Sequence, residues 1–280
     1  MPALKVRKLP FSFDDEIPFQ WQPSNPTFAT FLNQLSFFAV AFERYLIKAL
    51  RDAIPLIENE SVRIEAKLFL EQEAQHSLAH KTHVDFMIRK YPGLKTAFTK
   101  ACQHYDNLYQ KESTQFHLSY IANLEATFAP MLTFVIDHRE ALFSKGHVKV
   151  SSLFLWHAIE EIEHRSSAYV IYNEFVKNKW YRITKVPHLA KHLSEFFKMI
   201  GEEFEKNVPL EIRTAGMDHP PEALGMIPRK HRMLLTLNLI KCFFPWHNPK
   251  NEIEPEWFDE WMHAEEEGCD MTQIYGNAAS

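Results

Sequence analysis

The sequence predicts an all-α fold, a four-helix bundle extended by further helices towards the C-terminus. Three observations predict it. Apolar residues recur at i, i+3, i+4 and i+7 over several long stretches, the pattern of helices with one buried face. No period-two alternation marks a strand. Only 7 Gly occur in 280 residues, which argues against tight hairpins and Gly-rich nucleotide loops. A hydrophobic fraction of 46% with 23 Phe supplies enough aromatic material for a large core.

The elements follow in order. Residues 1–26 hold Pro2, Pro10, Pro18, Pro23 and Pro26 and are expected to form an irregular arm. Asn25-Pro26 reads as a cap and a first-turn proline. A helix over 27–52 follows, with Phe31, Leu35, Phe38, Phe42, Leu46 and Ala49 at helical spacing. The second helix is expected over 60–90, ended by Tyr91-Pro92-Gly93, and a connecting helix over 94–111. Ser113 or Thr114 opens a third bundle helix running to 143, kinked where Pro130 removes a backbone bond to Ala126. The fourth is SSLFLWHAIEEIEHRSSAYVIY (151–172), extended to 177 and capped by Ser151 or Ser152. Helices over 187–206 and 229–244, with a Pro-containing loop between them, precede a short acidic, Trp-bearing helix after Pro255.

Charge and cysteine usage narrow the class. A formal charge of -5 leaves no basic footprint for nucleic acid. Cys102, Cys242 and Cys269 are odd in number and far apart, so a reducing, cytoplasmic setting without disulfides is expected. The start MPALKVRKLPFSFDDE lacks the apolar segment of a secretory signal. No uncharged apolar run reaches the roughly 18 residues of a membrane span; 27–42 and 233–246 come nearest. Leu234–Trp246 is a candidate surface for a partner or a membrane face.

Coordinating side chains sit where these helices should be buried. At about 100° per residue, His157, Glu161 and His164 fall at 0°, about 40° and about 340°, a single stripe bordered by Phe154, Ala168 and Ile171. In the second helix Glu73, His76 and His80 fall within about 60° of one another. Glu43 lies among Ala39, Phe42, Leu46 and Ile47, and Glu125 is the only charge between Glu112 and Asp137. A lone Glu-x-x-His is common on solvated helix faces, and a lone buried Glu usually pairs with an Arg. Arg44 and Arg165, however, are each turned about 100° from the neighbouring proposed ligand, Glu43 and His164.

One Glu from each of two helices and Glu-x-x-His from each of the other two is the donor set of ferritin-like di-iron and di-manganese bundles. Thirty residues separate Glu43 from Glu73 and 36 separate Glu125 from Glu161, each a helix plus a turn. The 52 between Glu73 and Glu125 leave room for a crossover. Four ionised carboxylates in an apolar bundle are very unfavourable alone, and two divalent cations offset them. Oxygen and nitrogen donors without thiolate suit iron, with Mn or Zn as alternatives. The expected ligands are Glu43, Glu73, His76, Glu125, His157, Glu161 and His164; His80 and Glu160 are each a ligand or a supporting neighbour. The expected organisation is an arm (1–26), a metal-binding bundle (27–178) and a helical extension (179–280) packed on it, one domain overall.

At EQEAQHSLAH and WHAIEEIEHRSSAY the chain resembles a bacterial helical family labelled predicted metal-dependent hydrolases, over about residues 10–270. The His-x-x-x-Glu-x-x-His run of 157–164 is also similar to the di-iron arylamine N-oxygenases, a likeness confined to the ligand pattern. There the extra histidine belongs to the metal site, which implies the same for His157.

Ala39, Ala122, Ala129 and Ala168 lie a turn from the proposed ligands, consistent either with an apolar substrate pocket or with close helix packing. The leading expectation is a non-haem di-iron oxygenase or oxidase acting with O2 and an unspecified electron donor on a small apolar or aromatic substrate. The alternatives are a hydrolase using metal-activated water and a non-catalytic metal-binding protein. Oligomeric state is open.

Overall fold

The computed structural model describes residues 4–14 and 16–277, apart from the Leu224 side chain. The first three residues and position 15 of the expected arm, and the last three of the expected extension, lie outside the described residues. The described residues contain helices and no strand, with an isolated bridge joining His147 and Asn277.

Helix α1 (Pro26–Ala53) starts with proline in its first turn, where a missing N–H costs nothing. Asn25 stands before it but does not cap it. Its amide donates to the Ala141 carbonyl (2.9 Å) and its side-chain oxygen accepts from the Ala223 N–H (3.1 Å), tying the helix start to two distant segments. Asn59 caps α2 (Glu60–Lys90) by accepting from the Ser61 and Val62 N–H groups. The turn after it brings Gly93 so close to Asn207 that any Cβ would collide. Helix α3 (Leu94–Lys111) follows. Ser113 caps α4 (Thr114–Asp137) by accepting from the Phe116 N–H. α4 continues through Pro130, and the break comes at His138, before the short α5 (Arg139–Phe143).

The fourth bundle helix departs furthest from expectation. α6 (Val148–Glu163) begins before Ser151, so neither Ser151 nor Ser152 is its cap. Both are buried, and their hydroxyls donate to the Phe143 and Tyr275 carbonyls (3.5 and 3.2 Å). α6 stops at His164, and α7 (Ser167–Val176) resumes after one turn. Arg165 donates to the Ile162 carbonyl (2.7 Å) and pairs with Glu254 (2.9 Å), while the Ser167 hydroxyl donates to Glu65 (2.8 Å). These partners occupy groups that a continuous helix would use or leave in water.

The remainder comprises α8 (Lys179–Thr184), α9 (Val186–Asn207), α10 (Leu210–Arg213), α11 (Glu222–Met226), α12 (Arg229–Lys241) and α13 (Trp257–Glu266). α12 ends at Lys241, short of the expected 244.

α1 lies along α2 and α3, α4 along α6 and α7, and α2 against α6 and α7, with α1 touching α4. This closes a bundle of α1, α2, α4 and the broken α6–α7 pair. α9 packs on α3 and α4, and α12 on α4. One apolar cluster runs from Phe11 to Met271. Residues 4–14 and 16–25 hold no helix, yet Phe11, Phe13, Ile17, Phe19 and Trp21 are buried, each such burial stabilising by roughly 1.5–3 kcal/mol. Among the described residues one helix, Thr114–Asp137, is long and apolar enough to cross a membrane, and 61% of its apolar window is buried inside the fold. Glu125 interrupts the apolar run of this helix, as Lys241 interrupts 233–246.

Candidate metal centre

The bundle brings the seven expected ligands into two adjoining groups. Glu43 of α1, His76 of α2 and His157 of α6 present donor atoms within 4.8 Å of one another, as do Glu73 of α2, Glu125 of α4, Glu161 of α6 and His164 at its end. Glu161 faces both groups: Oε1 is 2.9 Å from His157 Nε2, and Oε2 is 3.1 Å from His164 Nε2. His157 Nε2 is also 3.6 Å from Glu43 Oε1, and His164 Nε2 is 3.1 Å from Glu73 Oε1 and 4.0 Å from Glu125 Oε2. His164 stands where the helix breaks, with its ring among three carboxylates.

His80 and Glu160 belong to neither group. Glu160 accepts from His76 Nε2 (2.9 Å) and from Arg7 Nη1 (3.1 Å). With its Nε2 proton engaged, His76 turns the Nδ1 lone pair towards Glu73 and Glu161, 3.8 and 3.6 Å away; such carboxylate–histidine pairs orient metal ligands. The Gln72 amide donates to Glu163 (2.6 Å) and to the Lys5 carbonyl (3.0 Å), which turns its oxygen towards His164 Nδ1 (3.1 Å). His164 Nδ1 is therefore the donor there, and Nε2 faces the carboxylates. His80 Nε2 meets His157 Nδ1 (2.7 Å), and the Ser36 hydroxyl lies 3.0 and 2.8 Å from Nδ1 of His80 and of His83.

Sequence reasoning missed these supporting residues to different degrees. Ser36 is seven residues before Glu43, and His83 extends the stripe of Glu73, His76 and His80, so helical periodicity could have found both. Gln72 and Arg7 carried no periodic signal. Arg7 is a buried cation from the arm that bridges Glu160 and Glu163. Arg44 and Arg165 are engaged with Cys102 and Glu254, and neither forms an ion pair with Glu43 or Glu125 among the described residues.

The electrostatics are those of a site built for added positive charge. Burial, together with Glu73 and Glu161, pushes the Glu43 carboxyl well above the usual carboxylate range; burial with the same two neighbours, Glu161 foremost, raises Glu125 likewise. Glu161 is held well below that range despite its burial because His164 and His157 face it. His164 is raised well above the usual imidazole value, the charges of Glu161 and Glu73 outweighing burial. Burial lowers His76 to about 3 and raises Glu160 to about 7, the latter opposed by Arg7.

The donor atoms fit divalent cations. Glu43 Oε2, Glu73 Oε2, His76 Nδ1 and Glu125 Oε1 are buried and have no hydrogen-bond partner, a costly state for a polar atom without a ligand. Carboxylate and imidazole donors, with no Cys among them, suit iron, manganese or zinc. Ala39, Ala122, Ala129 and Ala168 are all buried. A cavity of about 400 Å³ lies instead among Pro187, His188, Lys191, His192 and Glu195. A second, of about 340 Å³, lies between the arm at Lys8–Phe11 and the face of α2 at Gln75–Thr82. Neither is lined by a donor residue.

Comparison with curated proteins and with solved structures returns no match. Residues 5–218, which span the arm, the bundle and both donor groups, match a family described as predicted metal-dependent hydrolase. By that match, extending over most of its length, the chain belongs to the predicted metal-dependent hydrolase family.

Proposed function

We propose that this chain is a dinuclear-metal hydrolase acting on a small-molecule substrate. Glu43, His76 and His157 would hold one cation and Glu73, Glu125, Glu161 and His164 the other. The observation that supports it most is the pair of adjoining donor groups joined through Glu161, in a chain whose family is described by metal-dependent hydrolysis. Two such cations lower the pKa of water and polarise a carbonyl or phosphoryl oxygen.

The protein's own part is to position the donor groups and to restrict access to them. Glu161 sets the spacing of the two groups through its two oxygens. Arg7 and Glu160 fix the His76 ring, and Gln72 fixes that of His164. His157, at 17% side-chain exposure, is the accessible donor; the carboxylates of Glu43 and Glu161 beside it are at 2%. A substrate would reach the centre from the His157 side, while Phe69 and Trp156, packed against His164 and His76, close it elsewhere.

A second reading, oxidation by O2 at two irons, is favoured by the donor set itself. Four carboxylates and three imidazoles suit iron, and their burial restricts polar substrates. One experiment separates the two. Metal-stripped protein is reloaded with Zn(II) or Mn(II) and assayed on ester, amide and phosphoester panels; a parallel sample receives Fe(II) without oxygen and then O2. Turnover in the first arm, lost in Glu161→Ala, is the expected result. A transient visible absorption in the second arm, with no hydrolysis in the first, would replace the hydrolase reading with the oxidative one. Failure to take up metal at all would overturn both.

A further inference from the structure

We propose that α12 docks this protein on an anionic lipid bilayer, lying in the interface with its outward stripe immersed. The helix packs on α4 through one face, where Leu235, Asn238 and Leu239 are half-buried. On the other face Met233, Leu234, Leu237 and Ile240 are each about half exposed or more. At about 100° per residue these four fall within a sector of about 120°, so the exposed apolar groups form a single stripe. Beyond the helix the stacked rings of Phe244 and Trp246 are exposed, Trp246 at 72%.

Charge selects the occupant. Arg229 and Lys230 sit at one end of the stripe and Lys241 at the other, all exposed and none in an ion pair among the described residues. Arg232 flanks it. From Ala223 to Asn251 there is no Asp or Glu, although the chain carries 36 acidic against 31 basic residues. An apolar stripe of Leu, Ile and Met, bounded by Lys and Arg and followed by an exposed Trp, is the arrangement of helices that lie in a membrane interface. The basic ends reach lipid phosphates while the apolar side chains enter the acyl boundary.

Area argues against a second copy as the occupant. A helix of 13 residues is about 20 Å long. A stripe one or two side chains wide falls well short of the roughly 800 Å² per partner that a stable interface needs. A bilayer demands no shape complementarity. Because α12 lies on α4, which carries Glu125, the docked face is one helix from the donor groups. The proposal does not depend on the reaction performed there.

The test is flotation of the full chain with vesicles of phosphatidylcholine alone or with about one third phosphatidylglycerol. Binding to the anionic vesicles that weakens with salt is expected. Leu237→Glu should abolish it. Arg229→Gln and Lys230→Gln should each weaken it about fivefold. All three side chains are exposed, and unchanged circular dichroism confirms that the variants fold. Absence of binding to anionic vesicles, equal binding to phosphatidylcholine alone, or wild-type binding by Leu237→Glu overturns the proposal. So does a dimer that Leu237→Glu dissociates, in a protein that ignores vesicles.

Discussion

Replacing Glu43 by Gln separates what the donor groups do for folding from what they do for a cation. Burial and the nearby charges of Glu73 and Glu161 raise the Glu43 carboxyl well above its usual range. In the metal-free protein this favours the neutral acid form, with Oε2 buried and without a partner. Gln has the same shape and no charge, so Glu43→Gln should change metal-free stability by less than about 1 kcal/mol near pH 4.5 and should not destabilise the metal-free fold at higher pH, where the unfolded wild type gains by ionising. With a cation at about a hundred times its Kd, each occupied site adds about 2.7 kcal/mol. That corresponds to roughly 5–10 °C of melting temperature in a chain of this size. The variant should lose this gain for the group it belongs to. Paired thermal melts in chelator and in excess Zn(II), Mn(II) or anaerobic Fe(II) measure both quantities. A metal-free variant destabilised by several kcal/mol would show that Glu43 is a structural anion, and the argument would fail. A wild type indifferent to every cation would refute it from the other side.

Further outcomes follow from the same geometry. Glu161→Ala should bind neither cation, because one oxygen faces each group, whereas Glu43→Ala should keep one equivalent; elemental analysis of desalted protein counts them. Arg7→Met should cost about 3–5 kcal/mol in urea denaturation, since it strips buried Glu160 of its cation. It should also weaken metal binding about 10–100-fold through a loosened His76, read by metal titration of the variant. The raised Glu43 carboxyl stabilises the metal-free fold fully below its unfolded value near 4.5, and that contribution is lost as pH rises through the folded value. Relative to Glu43→Gln, the metal-free wild type should accordingly lose stability as pH increases above about 4.5, which melts across pH will check. Cations must displace protons from Glu43 and Glu125, both raised, so apparent affinity should climb with pH and binding should release protons, read by calorimetry in buffers of different ionisation enthalpy.

How far the site could be read in advance depended on the period of the helix. Side chains sharing a stripe of one helix announce themselves by spacing, which is why Glu73 with His76, and His157 with Glu161 and His164, stand out in the one-dimensional chain. Glu43 and Glu125 are visible as charges within apolar runs, the pattern least expected of a buried face. Ser36 and His83 lay on those stripes and were legible too. Arg7 was not: it sits in a segment with no periodicity, and its partner Glu160 is 153 residues away.

By itself, then, the sequence determined the helices, because backbone hydrogen bonds within a helix are local and the apolar period follows from 3.6 residues per turn. It also indicated that the four carboxylates with His76 and His164 are buried together and His157 lies beside them, because burying a carboxylate demands a counter-charge. Only the tertiary structure decided the rest. The turn at His164–Ser166, the non-capping role of Asn25 and the division of labour between His76 and His80 are set by side chains from distant segments competing for the same backbone and ring atoms. Such competition is decided by distance in space, which no spacing along the chain encodes.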